Sequence, residues 1–393
     1  MPNRSRSARV ALSVLALLYA SAAVAAERVV DLTAPDGLKL KATYFPAAAA
    51  GPGVLLLHQC NRQRKAWDVL AQQLSAAGLH VLTLDYRGYG ESGGDRFDSL
   101  PPAEAQRIQR ETWPGDIDAA FAYLVAQPGV KKDTIGVGGA SCGVQNSVQT
   151  ARRHPEVKSL VLLSGAADLT SRNHLRTTKV PAFFSFADDD EFRPTILAMQ
   201  WLYTLTATPE KALVRYANGG HGSDMFPVQK QLPGLIVDWY VQTLVKTPGH
   251  APAAKARASV AGEVPILNAI DQPGGAAAIG RKLEDARKRD PKSQLFPEDL
   301  VNFMGYEHLQ AGNVKAAVAI MRLNVQAYPA SANVYDSLSD AYLADGQTDL
   351  ARENAEKALA LLPKDTTADE PRRAAIRASA EEKLKQLGRV RKD

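Results

Sequence analysis

The chain has 393 residues, room for two domains, and its 45% hydrophobic and 23% charged content is that of a globular protein with a real core. The formal charge is +5, and because Arg4, Arg6 and Arg9 lie in the first 26 residues, the chain without that stretch would carry +2. So small an excess gives no reason to expect a nucleic-acid partner.

Those first 26 residues have their own layout: a basic start, an apolar run over 10–18, then Ser21-Ala22-Ala23-Val24-Ala25-Ala26. This is the pattern of a secretory signal peptide cleaved after Ala25 or Ala26. The apolar run falls short of the ~20 residues of a membrane span, and no other stretch approaches that length. The expectation is an exported protein, periplasmic or secreted, with no membrane span. The chain has two cysteines, Cys60 and Cys142, in a compartment where disulfides persist.

Over 27–249 apolar runs alternate with amphipathic stretches. Residues 28–32 and 38–45 read as strands joined at Asp36-Gly37. An apolar run over 54–58, a helical pattern over 67–77 and a second run over 79–85 follow. The alternation continues with a helix at 114–126, a strand at 134–138, a helix at 144–154 and a strand at 160–163, then 181–186, 194–205, 212–216 and 232–245. Buried strands separated by helices imply a mostly parallel sheet of about eight strands, covered on both faces.

Residues 250–261 are rich in Ala and Pro, so 250–275 is expected as a linker. From 276 to 393 the patterns are helical only. There the sequence repeats at a spacing of 34: Gly312 and Gly346, Ala317 and Ala351, Pro329 and Pro363. With Gly305, Tyr335, Leu338, Tyr342 and Ala358, the pattern resembles the tetratricopeptide repeat. One such unit cannot bury its own face, so the helical stretches 276–289 and 372–387 are expected to flank and cap the pair. Two readings stay open: a protein-binding surface, or a helical cap that packs on the first domain.

The chemistry centres on Gly139-Ala140-Ser141-Cys142-Gly143, between an expected strand and an expected helix. That is the setting of a nucleophile elbow, in which flanking glycines permit a sharp turn and raise the serine hydroxyl above the sheet edge. Ser141 as nucleophile needs a carboxylate and a histidine later in the chain, in that order. The strand over 181–186 runs into Asp188-Asp189-Asp190, with Pro194 opening the next helix. Asp190 fits best as the acid, with Asp188 as the alternative. His221 follows a strand end within Gly219-Gly220-His221-Gly222; His154, His174 and His80 lie in the wrong places. Two backbone N–H groups must also face the developing oxyanion. Cys142 supplies one as the residue after the nucleophile, and Cys60, in His58-Gln59-Cys60-Asn61, supplies the other.

With Leu84-Asp85-Tyr86-Arg87-Gly88-Tyr89-Gly90-Glu91-Ser92 added, these motifs from 28 to 245 resemble the α/β-hydrolase superfamily, nearest its dienelactone hydrolase-like and esterase branches. Two departures stand out. Many relatives have His-Gly where this chain has His58-Gln59, and dienelactone hydrolases proper use a cysteine nucleophile, whereas the flanking glycines here centre on Ser141. If both oxyanion positions hold, the Cα atoms of Cys60 and Cys142 lie within roughly 7 Å, near the limit for a disulfide. A bridge and two buried thiols both remain open.

The expected function is a secreted serine hydrolase with an α/β-hydrolase fold and a small helical region. It would cleave a carboxylic ester through Ser141, His221 and Asp190 and an acyl-enzyme, on a small-molecule or acyl substrate, with no metal or organic cofactor. A serine peptidase or lactone hydrolase on the same residues is the nearest alternative. A catalytically inert protein that binds partners through its helical repeats is an alternative of a different kind.

Overall fold

The structure, a computed structural model, describes residues 26–252, 259–365 and 369–390; the expected leader therefore lies, Ala26 apart, outside the described residues. Its core is one sheet of eight strands: β1 (Arg28–Thr33), β2 (Lys39–Phe45), β3 (Gly51–Leu57), β4 (His80–Leu84), β5 (Val130–Ala140), β6 (Val157–Leu163), β7 (Ala182–Ala187) and β8 (Lys211–Tyr216). They lie in the order β1-β2-β4-β3-β5-β6-β7-β8. The β1–β2 and β2–β4 pairs are antiparallel, and every pair from β4 to β8 is parallel. The central strands read as near-continuous apolar runs because helices cover both faces; Val54 to Leu57 have no exposed surface at all.

The first domain's helices are α1 (Asp68–Ala76), α2 (Pro102–Arg107), α3 (Trp113–Ala126), α4 (Cys142–Arg153), α5 (Leu169–Leu175), α6 (Pro194–Leu205), α7 (Met225–Val228) and α8 (Leu232–Tyr240). α1 and α8 bury Leu70, Leu74, Leu232 and Trp239 on one face, and α3, α4 and α6 bury Phe121, Val148 and Leu202 on the other. From β3 the chain crosses to β4 on one side, and β5 then returns on the other. The carboxyl ends of β3 and β5 thus flank the topological switch point, where open α/β sheets form their ligand crevice.

Part of the stretch 250–275, expected as a linker, is helical. It contains α9 (Glu263–Ile270), which buries Val264, Leu267 and Ile270 on one face. Three apolar residues at helical spacing suffice once α6 offers a surface, and the Ala261 N–H is held by the Gln200 carboxamide at 2.8 Å. The short helix α5 also escaped the sequence reading; Asp168 caps it by accepting from the Ser171 N–H.

The rest is helical: α10 (Gly275–Arg289), α11 (Glu298–Gln310), α12 (Val314–Ala327), α13 (Ala332–Ala344), α14 (Thr348–Leu361) and α15 (Glu370–Val390). The spacing of 34 is visible as two helix pairs with the same turn. Gly312 and Gly346 have φ of 76° and 74°, the left-handed conformation that suits glycine after a helix. Asn313 N–H bonds back to His308 and Gln347 N–H back to Tyr342, each one residue further on. Ala317 and Ala351 are fully buried where the paired helices approach.

The helical region shares a core with the sheet domain: Val264, Ile279, Leu300 and Met304 belong to the same buried cluster as Val144 and Phe184. A buried charge cluster fastens the junction. Arg172 of α5, with no exposed surface, donates to both Asp271 oxygens at 2.9 and 3.0 Å and to Glu307 of α11, and its guanidinium lies 4.6 Å over the Trp201 ring. Arg176 and His308 also donate to Asp271. Burial alone would raise the Asp271 carboxyl, but the bonds from His308, Arg172 and Arg176 outweigh it and hold the group below the usual carboxylate range. Glu307 has only Arg172, and burial pushes its carboxyl up to about 8.

A group protonated in the fold and ionised in the unfolded chain stabilises at low pH and ceases to do so as pH rises through its folded value. Wild type is therefore expected to lose stability relative to Glu307→Gln between about pH 5 and pH 8, by at most ~1.4 kcal/mol per pH unit. Urea unfolding of both proteins at three pH values checks this; parallel pH profiles would refute it.

Candidate active site

Ser141 stands between the last residue of β5 and the first of α4 with φ 54° and ψ −119°. Only Ser141 and Ser164 combine a side chain with a positive φ among the described residues, a conformation that costs roughly 1–3 kcal/mol and persists only where surroundings enforce it. Here backbone crowding enforces it. A Cβ on Gly139 would lie 2.0 Å from the Gly143 carbonyl oxygen, and one on Gly143 would lie 2.3 Å from that of Leu57. The turn is pinned by the Ser141 N–H on Leu163 and the Val144 N–H on the Ser141 carbonyl, both at 2.9 Å.

Asp190 and His221 meet at the ends of β7 and β8. Asp190 is fully buried, and its two oxygens lie 3.0 and 2.9 Å from His221 Nδ1. It also accepts from the Phe192 N–H and the Thr195 hydroxyl, which fixes its orientation. A proton on Nδ1 shared with this carboxylate leaves Nε2 of the neutral ring as an acceptor. Phe192 packs on the imidazole at 4.6 Å. The alternative acid, Asp188, instead pairs with Arg215 at 2.7 Å, and Asp189 caps the Gly220 N–H. The loop carrying His221 lies against the elbow, since a Cβ on Gly222 would fall 3.1 Å from that of Ala140.

The residue that departs from the His-Gly pattern ties the loops together. Buried Gln59 accepts the Ser223 N–H and hydroxyl on Oε1 at 2.7 and 2.9 Å, and its amide donates to Asn61 and, at 3.4 Å, to the His221 carbonyl. Gly222, at φ 59°, has no Cβ because that atom would lie 2.3 Å from Gln59 Oε1. The sequence marked Gln59 as unusual but held no signal for its partner, which is 164 residues away. His58 is equally structural. Its Nδ1 faces the Gln59 carbonyl at 2.8 Å and its Nε2 accepts the Tyr86 N–H, so it is a neutral imidazole, and burial lowers it to about 4. Asp85 of the β4 loop accepts from Arg64 and from the Glu91 N–H, so this motif braces the wall from within.

Cys60 and Cys142 are joined by a disulfide with Cα atoms 5.9 Å apart. Cys142 is the first residue of α4, where helix N–H groups have no carbonyl one turn back, and the bridge fastens the β3 loop to it. Ser141, Cys142, Trp113, Gly165 and Thr195 line a cavity of about 230 Å³. Among the described residues no cluster of three or more His, Cys, Asp or Glu side chains could hold a metal ion, and no helix is long and apolar enough to cross a membrane.

Residues 52–187 match the family model described as serine aminopeptidase, S33. The chain is similar to a thiohydrolase of Aspergillus aculeatus, 27% identical over 37% of this chain and 44% of that protein. It is also similar to an uncharacterised protein of Mycobacterium tuberculosis, 33% identical over 37% of this chain and 48% of that one. The chain thus spans less than half the length of these curated relatives. Among solved structures, a Pyrococcus furiosus esterase overlaps 56% of this chain and 91% of its own at 18% identity and a TM-score of 0.45. A dienelactone hydrolase of Anabaena variabilis overlaps 56% and 98% at 21% identity and a TM-score of 0.44. The sheet order and the helices on both faces define an α/β-hydrolase fold.

Two outcomes are expected. In denaturant without reductant neither cysteine should react with iodoacetamide, and after reduction intact mass should show two adducts; alkylation without reductant would remove the bridge. Gln59→Leu strands the buried Ser223 N–H, so hydrogen exchange at Ser223 should speed about tenfold or more while β3 and β5 amides keep their protection. Unchanged exchange at Ser223 would show that Gln59 does not hold the loop.

Proposed function

We propose that this chain is an exported serine hydrolase that cleaves a carboxylic ester. The observation that carries the reading is Ser141 forced to positive φ at the strand-to-helix turn, with the imidazole of the adjacent loop oriented by buried Asp190. In this mechanism His221 Nε2 takes the Ser141 hydroxyl proton as Oγ attacks the ester carbonyl. The tetrahedral oxyanion is held by the N–H groups of Cys142, at the positive end of α4, and of Cys60. As the intermediate collapses, His221 returns the proton to the leaving alcohol. Water, deprotonated by His221, then releases the acid from the acyl-enzyme.

The S33 model over 52–187 and the relative named as a thiohydrolase support acyl transfer to water; lactones and peptides are the competing substrates on the same groups. Export to an oxidising compartment, with the leader removed, is the setting in which the Cys60–Cys142 bridge persists. The two helix pairs with matching turns support a tetratricopeptide-like reading of 298–361. Their shared core with the sheet domain and the buried Arg172 cluster favour a packing role over a free partner-binding array.

A fluorophosphonate probe should label the folded protein and fail on Ser141→Ala. That substitution should also cut hydrolysis of a short-chain aryl ester about a thousandfold or more. A wild type that neither takes the probe nor cleaves the ester would leave the inert, partner-binding alternative.

A further inference from the structure

Phe192 packs on the imidazole of His221, with ring centres 4.6 Å apart and the planes tilted by 55°. His221 is 2% exposed and Phe192 49%, so the phenyl ring covers the outer side of the imidazole and leaves much of its own surface open. A single exposed apolar side chain needs no explanation in itself. What sets this one apart is its seat on the group that moves the protons.

The backbone holds the ring there. The Phe192 N–H donates to Asp190 Oδ1 at 2.8 Å, and the Phe192 carbonyl accepts the Thr195 N–H at 2.8 Å. The Thr195 hydroxyl lies 2.9 Å from Asp190 Oδ2, and Thr195 lines the cavity at Ser141. One short loop between β7 and α6 thus carries the acid, the ring over the base and part of the cavity wall. Most charges of this loop are engaged elsewhere: Arg193 donates to the Asp188 carbonyl, Asp188 pairs with Arg215, and Asp189 accepts the Gly220 N–H. Glu191 is exposed and makes no ion pair among the described residues, so a cationic group is the competing occupant.

The reaction decides which half of the substrate meets this ring. His221 Nε2 returns its proton to the leaving oxygen across about 3 Å, which puts that oxygen within roughly 9 Å of the Phe192 ring centre. A ring one carbon beyond the oxygen can then reach the ~4.5–7 Å separation of aromatic pairs. We infer that the open surface of Phe192 is a leaving-group subsite, which selects esters of alcohols that are apolar next to the ester oxygen, flat aromatic ones best. This deepens the serine-hydrolase reading above and rests on it. An apolar alcohol removes water from the phenyl surface at no cost to itself, whereas an alcohol rich in polar atoms gives up hydrogen bonds that Phe192 cannot replace.

The test compares kcat/KM for benzyl acetate and 2-methoxyethyl acetate, which share the acyl group, in wild type, Phe192→Ala, Phe192→Gln and Phe192→Tyr. Wild type should prefer the benzyl ester about tenfold, Phe192→Ala and Phe192→Gln should lower that ratio about fivefold, and Phe192→Tyr should keep it. The ratio for ethyl acetate and ethyl butyrate, which differ only in the acyl half, should stay the same in all four proteins. Phe192→Gln keeps bulk over His221, so the comparison stands if Phe192→Ala disturbs the base. Equal use of benzyl and methoxyethyl esters by a wild type that the fluorophosphonate labels overturns the subsite alone. So does an equal fall for both esters in the variants, which would make the ring only a cover for His221. A shift confined to the acetate–butyrate ratio places Phe192 on the acyl side and overturns it too. A preference for acetylcholine over both esters that Phe192→Gln abolishes overturns it in favour of a cation site. Absence of labelling in wild type overturns the subsite together with the hydrolase reading.

Discussion

The site depends on how closely α4 approaches the end of β3. Gly143 rests on the carbonyl of Leu57 at a distance that no Cβ could share, and Gly139 rests on the carbonyl of Gly143. This contact holds Ser141 at positive φ, aims the first turn of α4 at the crevice, and brings Cys142 near enough to Cys60 for a bridge. The strain is local and the restraint is distributed. It comes from the parallel β3–β5 ladder, in which Leu57 pairs with Gly139, and such a ladder is stable only because helices bury both faces.

A second set of restraints joins loops far apart in sequence. Gln59 binds the loop of His221 to the end of β3, Asp190 orients the histidine, and Asp85 with Arg64 braces the wall between β3 and β4. Each is a buried polar group with its partners supplied, the condition under which such networks rigidify a site. The Arg172 cluster does the same at the junction. Removing one member of such a buried ion cluster typically costs about 3–5 kcal/mol, because the charges left behind have no water to turn to. The helical region is thereby held at a fixed place against the sheet domain, where Glu307 and Gln310 of α11 line a cavity together with Gln145 and Gln149 of α4.

Much was legible in the chain itself. Apolar runs broken by amphipathic stretches located all eight strands, and Gly139-Ala140-Ser141-Cys142-Gly143 marked the turn between β5 and α4. Asp190 and His221 were readable because each follows a strand end, where parallel sheets deliver groups to one edge. The spacing of 34 located both helix pairs through residues that a turn or a close approach requires, Gly312 and Gly346, Ala317 and Ala351. Helices α5 and α9 were not legible, because seven- and eight-residue helices carry little periodicity and are stabilised by what they pack against.

Local residue choice alone therefore determined the sheet class, the elbow, the order of the three catalytic candidates and the helical repeat, since backbone sterics and apolar periodicity act within a few residues. Tertiary structure decided the rest: that Asp190 rather than Asp188 faces His221, that Gln59 clamps Ser223, that Cys60 reaches Cys142, and that Arg172 reaches Glu307. Those are pairings between residues 31 to 164 positions apart. Direction and distance across such gaps are set by the packing of whole layers, which no short stretch of sequence encodes.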